Sequence, residues 1–288
     1  MAANLKPLVP DRTFSVEGIN INYTENIVPN DLPTVVLIHG FGATLETWSD
    51  IYPLLCSHYS VLRMDLKGSG FSSKPEDNEY APGDQARLLL KFLEGLGRTN
   101  IVLVGYSLGG GVALLTYFES LISNQHVNVR ALILIDSAGY PQSLPFFVET
   151  VRNPLTRMIS YMMPPASRVR FVLERIIKAP ERITDDRIHR YAYFLDMPGS
   201  RYALVKTAEQ IVPRNISELS DKFSTVAVPT LILWGEDDPV IPVKNGHRFE
   251  KDIPGSQFKL LPQTGHLPHE ERPKETFTIM DRFLRSLK

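Results

Sequence analysis

Cysteine occurs once in 288 residues, at position 56, which excludes an internal disulfide framework and a cysteine metal cluster. Cys56 lies in the apolar stretch 51–56, where a buried structural thiol is expected rather than a reactive one. No apolar run approaches the roughly 20 residues that a membrane-spanning helix needs. The first ten residues, Met1 to Pro10, lack the basic start and long apolar stretch of a secretory leader, so a cytoplasmic location is the expectation. An excess of one charge is missing as well. Lys and Arg total 31 against 32 Asp and Glu, a formal net charge of -1, which leaves no electrostatic footprint for nucleic acid or an anionic membrane. Internal repeats and low-complexity tracts are absent. A small molecule is the partner these absences leave.

What is present is an ordinary globular composition, 43% hydrophobic and 22% charged, enough for a substantial core. Residues 13–26 alternate apolar and polar around Glu17-Gly18, the pattern of a hairpin. Runs apolar on both faces follow at 34–38, 60–64, 101–104, 131–135 and 230–233, as in strands buried within a parallel sheet. Residues 257–261 read as a last, less buried strand. Helical spacing marks 84–96, closed by Gly97, and also 108–120 and 273–287. Strand alternating with helix predicts an open α/β sheet covered on both faces.

Residues 140–220 break that rhythm. They are rich in Leu, Ile, Phe, Met and Tyr but contain no buried strand pattern. Prolines at 141, 145, 154, 164, 165, 180, 198 and 213 divide them into short helical pieces. So long an insert is not expected to be an unstructured loop. It predicts a helical cap (140–220), inserted after the sixth strand of a core made of 1–139 and 221–288.

Four strand ends carry chemistry. Gly105-Tyr106-Ser107-Leu108-Gly109 follows the strand at 101–104 and opens a helix, the context in which G-x-S-x-G forms a tight turn presenting the serine. A serine hydroxyl at neutral pH needs a base. His266, in Gly265-His266-Leu267-Pro268-His269-Glu270-Glu271, sits in the loop after the last strand and is preferred to His269, which already leads into the final helix. The base needs a carboxylate to hold its tautomer. Of Glu236, Asp237 and Asp238, Asp238 is the first choice and Asp237 the second. Acyl transfer also requires donors for an oxyanion, and His39-Gly40-Phe41-Gly42 offers the Phe41 amide to work with that of Leu108. His39 is expected to brace its loop. The single close histidine pair, His266 and His269, falls within this loop and is not read as a metal site; no cofactor is implied.

With the segment Arg63 to Ser72 added, these motifs make the chain resemble the α/β-hydrolase superfamily over nearly its whole length, in particular the capped single-domain members. The resemblance implies the α/β-hydrolase fold, with the acid expected between serine and histidine in chain order. It also implies that 63–72 is a structural loop, with Asp65 and Asp136 as bracing acids. The expected activity is hydrolysis of a carboxylic ester, of medium acyl chain or aromatic, through an acyl-enzyme. Tyr106, Phe146, Phe147, Met162 and Phe194 are candidates for the substrate pocket, as are Met158 and Met163, whereas Trp48 is expected in the core. Residues 158–177 could also graze a lipid surface. Two rivals remain. One is a carbon–carbon bond hydrolase similar to the meta-cleavage-product enzymes. It would need a cap cation, from Arg152, Arg157, Arg168 or Arg201, to hold a substrate carboxylate, and Tyr106 departs from the Asn usual before its serine. The other is a ligand receptor that keeps the fold but turns over little.

Overall fold

The computed structural model describes residues 8–28, 32–124 and 126–287. The expectation about the chain's first seven residues lies outside them. Among the described residues eight strands form one sheet: β1 (Arg12–Val16), β2 (Ile19–Asn26), β3 (Thr34–Ile38), β4 (Val61–Met64), β5 (Asn100–Tyr106), β6 (Asn128–Ile135), β7 (Thr230–Gly235) and β8 (Gln257–Leu261). Their spatial order is β1-β2-β4-β3-β5-β6-β7-β8. The hairpin β1–β2 is antiparallel, as is the β2–β4 pair. Every pairing from β4 to β8 is parallel. At the hairpin tip Glu17 and Gly18 both have positive φ, 51° and 83°, the left-handed pair that matches the twist of the two strands.

The helices of the core are α1 (Tyr52–Cys56), α2 (Pro82–Gly95) and α3 (Leu108–Ser120) before the insert. Between β6 and β7 lie α4 (Phe146–Arg152), α5 (Pro154–Tyr161), α6 (Pro165–Ile176), α7 (Asp185–Leu195), α8 (Ser200–Gln210) and α9 (Ile216–Asp221). After the insert come α10 (Lys244–Asp252), α11 (Pro268–Glu271) and α12 (Pro273–Arg285). All regular structure in the insert is helical, and α9 crosses the boundary expected at 220/221. Proline stands in the first turn of α5 and α6, where its missing N–H costs nothing and its fixed φ suits a helix start.

Every residue of β3 and β7 is buried, because helices cover both faces of the central strands. Removing each such Val, Leu or Ile side chain from water stabilises the fold by about 1.5–3 kcal/mol. Trp48 is fully buried in this core. Cys56 is only half-buried, correcting the expectation of a buried thiol: it is the last residue of a five-residue helix of which Leu55 alone is buried. Burial still raises its pKa, so it remains a thiol rather than a reactive thiolate.

Candidate active site

The parallel strands all deliver their C-terminal ends to one edge, and β3, β5, β7 and β8 each continue there into a loop or turn bearing a candidate residue. Ser107, between β5 and α3, has φ 54° and ψ -121°. A non-glycine residue held there carries strain of about 1–3 kcal/mol, tolerated when its surroundings leave no alternative. Those surroundings are glycines. A Cβ on Gly105 would lie 2.2 Å from the Gly109 carbonyl oxygen, and one on Gly109 would lie 2.2 Å from that of Ile38. Strand, turn and helix can therefore close only because both positions lack side chains. The Ser107 carbonyl accepts from the amides of Gly110 and Ala138, each at 3.0 Å, which locks the turn.

His266 Nε2 lies 3.0 Å from Ser107 Oγ, and its Nδ1 lies 2.8 Å from Asp238 Oδ2. The other oxygen, Oδ1, accepts from the amides of Val240 at 2.7 Å and Ile241 at 3.1 Å. These bonds aim the carboxylate at the ring. A carboxylate accepting from Nδ1–H leaves Nε2 as the acceptor for the serine hydroxyl. All three side chains are buried, so water competes little for these bonds. Asp237 and Glu236 are exposed, and Asp237 faces Lys178 at 3.8 Å. His269 is fully buried beneath the site, with Nε2 on Thr47 Oγ1 at 2.9 Å and its ring against Trp48 and Tyr106. Burial, with Arg187 and His266 nearby, pushes its pKa well below the ordinary value.

The Phe41 and Leu108 amides have no hydrogen-bond acceptor among the described residues. His39 takes the Leu66 amide on Nε2 at 3.0 Å and places Nδ1 on the Gly40 carbonyl at 2.8 Å, fixing the loop that carries Phe41. Asp65 accepts from the Leu45 and Phe71 amides and from Asn22 Nδ2, so it braces three segments. Asp136, at the end of β6, accepts from the Gly235 amide at 2.8 Å. Its other oxygen has no hydrogen-bond partner among the described residues.

Asp136, Asp238 and His266 form the one grouping of metal-capable side chains among the described residues, with ligand atoms within 4.8 Å of one another. The donor set does not fit a metal. Both ring nitrogens of His266 and both oxygens of Asp238 are committed to the hydrogen bonds above, leaving one oxygen of Asp136.

Two cavities meet at Ser107, sharing Phe41 and Phe147 as walls. The first, about 90 Å³, runs between α3 and the α8–α9 region, past Leu115, Phe118, Val148, Val212 and Leu219. The second, about 220 Å³, lies under the insert and is walled by Tyr106, Phe146, Met163, Val172, Tyr191 and His266, with Arg168 at its margin. Three of the pocket candidates do not line either cavity. Met162 is 82% exposed and Met158 is 61% exposed, because the apolar side of α5 turns outward. Phe194 is buried, but against Phe71 and Tyr193. Of the four candidate cap cations, Arg168 alone lines a cavity. The others face outward or bond locally, Arg152 to Glu149, Arg157 to the Val151 carbonyl and Arg201 to Asp196.

Sequence reasoning missed the cluster beneath the second cavity. Arg187 of α7 pairs with Glu270 at 2.7 Å and also with Asp50, while Glu270 accepts from Thr47 and Tyr191. Two adjacent carboxylates after Pro268, in the histidine loop, were the available signal. Charge at such a place needs a buried cation.

The fold and the site together define a class, the α/β hydrolases. The family's sequence profile, described as alpha/beta hydrolase fold, matches residues 33–273; the chain belongs to this family. Among curated relatives, it is 32% identical over 273 residues to the 2-hydroxy-6-oxo-6-(2'-aminophenyl)hexa-2,4-dienoic acid hydrolase of Metapseudomonas resinovorans, covering 92% of this chain and 87% of that protein. It is 28% identical to Lipase 3 of a Moraxella species, over 94% of this chain and 83% of the lipase. A meta-cleavage product hydrolase from Pseudomonas fluorescens superposes with a TM-score of 0.81 at 20% identity, covering 97% and 99% of the two chains, a likeness of fold. No helix among the described residues is long and apolar enough to cross a membrane.

Proposed function

We propose that the chain is a serine hydrolase that cleaves carboxylic esters through an acyl-enzyme, with Ser107 as nucleophile, His266 as base and Asp238 as the acid that orients it. The observation that carries this reading is the continuous relay Ser107–His266–Asp238, at 3.0 and 2.8 Å. His266 takes the hydroxyl proton as Oγ attacks the ester carbonyl. The Phe41 and Leu108 amides, free of other acceptors, receive the developing oxyanion, assisted by the N-terminus of α3. His266 then returns the proton to the leaving alcohol, and water activated by the same nitrogen releases the acid. The insert acts as the cap, and its two cavities take the two sides of the ester. The first cavity, with its nearly uniform apolar wall, suits a medium acyl chain or aromatic group.

Hydrolysis of p-nitrophenyl esters of rising acyl length tests the reading. Ser107→Ala is expected to lower kcat by at least roughly 10^4-fold with little change in Tm. Negligible turnover by the wild type across the series overturns the ester reading.

One observation favours a second reading, hydrolysis of a carbon–carbon bond in a substrate bearing a carboxylate. Arg168, 14% exposed, reaches the second cavity, and its Nε has no partner. Its nearest carboxylate, Asp196 at 3.6 Å, is shared with Arg201. The 32% identical relative named above is a hydrolase of a dienoic acid. Turnover of a vinylogous diketone acid, lost in Arg168→Gln while p-nitrophenyl esters are still cleaved, would decide for it.

A further inference from the structure

We propose that the α4–α5 side of the insert docks on an anionic lipid surface, and that the second cavity draws water-insoluble esters from it. The docking does not depend on the ester reading; the choice of substrate does. Leu155, Met158, Ile159 and Met162 recur at the i, i+3, i+4, i+7 spacing of one helix face. In a core helix that stripe packs inward. Here its members are 62%, 61%, 55% and 82% exposed, and no residue of α5 is buried. An apolar stripe left uncovered by its own chain marks a surface that meets something else.

The patch continues to the second cavity. Met163, next to Met162 in the chain, lines that cavity together with Phe146 and Phe171, and all three are exposed as well. The rings of Phe146 and Phe171 meet edge to face at 6.0 Å. An acyl chain leaving a bilayer along this rim passes from lipid to protein without crossing water, into a cavity that ends at Ser107 and His266.

Charge selects the occupant. The overall balance of -1 conceals a local excess. Residues 150–173 contain Arg152, Arg157, Arg168 and Arg170 and no Asp or Glu, and the Arg175 guanidinium stands 3.4 Å from the centre of the Phe171 ring. Glu149, Asp196 and Asp185 pair with Arg152, Arg168 and Arg170. Arg157 and Arg175 form no ion pair among the described residues; each donates to a backbone carbonyl, of Val151 and of Phe171. Apolar side chains flanked by unpaired cations suit the boundary between acyl chains and anionic headgroups. A second copy of the chain would instead set these arginines against their own kind across a two-fold interface.

The test is co-sedimentation of the full chain with vesicles of phosphatidylglycerol and phosphatidylcholine in equal parts, set against phosphatidylcholine alone. Wild type is expected to bind the mixed vesicles at least roughly tenfold more tightly, and Arg157→Gln/Arg175→Gln to remove most of that preference, at roughly fivefold per arginine. Met158→Ser/Met162→Ser, at exposed positions that the fold does not need, is expected to weaken binding to both vesicles by at least roughly tenfold. Its hydrolysis of a long-chain p-nitrophenyl ester held in the mixed vesicles should fall in step, while a short soluble ester is cleaved as before. Wild type that stays in the supernatant or binds both vesicles alike overturns the proposal, as does a methionine variant that binds as well as wild type. A wild-type dimer that the methionine variant dissociates also overturns it, since the patch would then belong to a second copy. Vesicle binding as expected, without turnover of any ester, would refute the ester reading and leave the docking standing.

Discussion

The two halves of the helical insert meet the core in different ways. The half built from α6 and α7 is fastened to the histidine loop. The His266 amide donates to the Ile176 carbonyl at 2.8 Å, and Glu271 accepts from the Lys178 and Ala179 amides. Arg187 forms its buried pair with Glu270 and a second with the partly exposed Asp50. The half built from α4 and α5 has no comparable tie. Only Val148 of α4 is buried and no residue of α5, while Leu155, Met158, Ile159 and Met162 stand more than half exposed. Yet this half supplies Phe146 and Phe147 to the cavities. The lesson is a division of labour: one half fixes the loop that carries His266, and the other, with few buried contacts to lose, opens at lower cost and carries a wall of both cavities.

The fastening predicts the largest loss of stability. Arg187→Met leaves Glu270 and Asp50 without their cation, and Glu270 is buried where its pKa is already raised by desolvation. Removing one partner of such a pair costs about 3–5 kcal/mol, measurable by urea unfolding. Under the proposed function, turnover of p-nitrophenyl esters should fall as well, because Tyr191, which shares Glu270, lines the second cavity. A cost below about 1 kcal/mol would mean that the charges are as loosely held as a surface pair, and the contrast between the halves would collapse.

A smaller effect, on selectivity, is expected from Phe147, which walls both cavities and stacks on Phe41 at 6.2 Å. Phe147→Ala should move the preferred acyl length upward. The ratio of kcat/KM for long against short p-nitrophenyl esters should rise roughly tenfold, the scale on which a pocket reads methylenes. An unchanged ratio would remove this half of the insert from substrate selection.

The same contrast explains what was legible in the sequence. In the sheet, local pattern and final position coincide: runs of four or five residues apolar on both faces are too short for a buried helix and read as buried strands, and the helix at 108–120 has those bounds in the structure. Gly105 and Gly109 marked the serine turn because a side chain at either would strike backbone. The insert was harder to read. Its prolines marked it as a series of short helical pieces, and Pro154 and Pro165 stand at two of the helix starts, but short amphipathic helices do not reveal which side faces inward. Met158 and Met162 were therefore assigned to a pocket from which α5 turns them away. Phe194 was apolar enough for the cavity and was instead taken by Phe71 and Tyr193. The Arg187–Glu270 pair escaped notice because its members are 83 residues apart, joined only by the fold. Asp136 was recognised as a bracing acid, but its nearness to Asp238 and His266 depends on the order β6-β7 in the sheet.

The smallest effect should come from the outer face of α5. Met158→Ser and Met162→Ser remove apolar side chains that are 61% and 82% exposed, so each should change stability by no more than about 0.5 kcal/mol. Both lie outside the cavities, and kcat/KM for a short, water-soluble ester should stay within roughly twofold. Against the Arg187 variant this is the other end of the comparison. A loss of several kcal/mol at either methionine would mean that α5 packs as tightly as α7, and this wall of the cavities would then be as rigid as the one that holds His266.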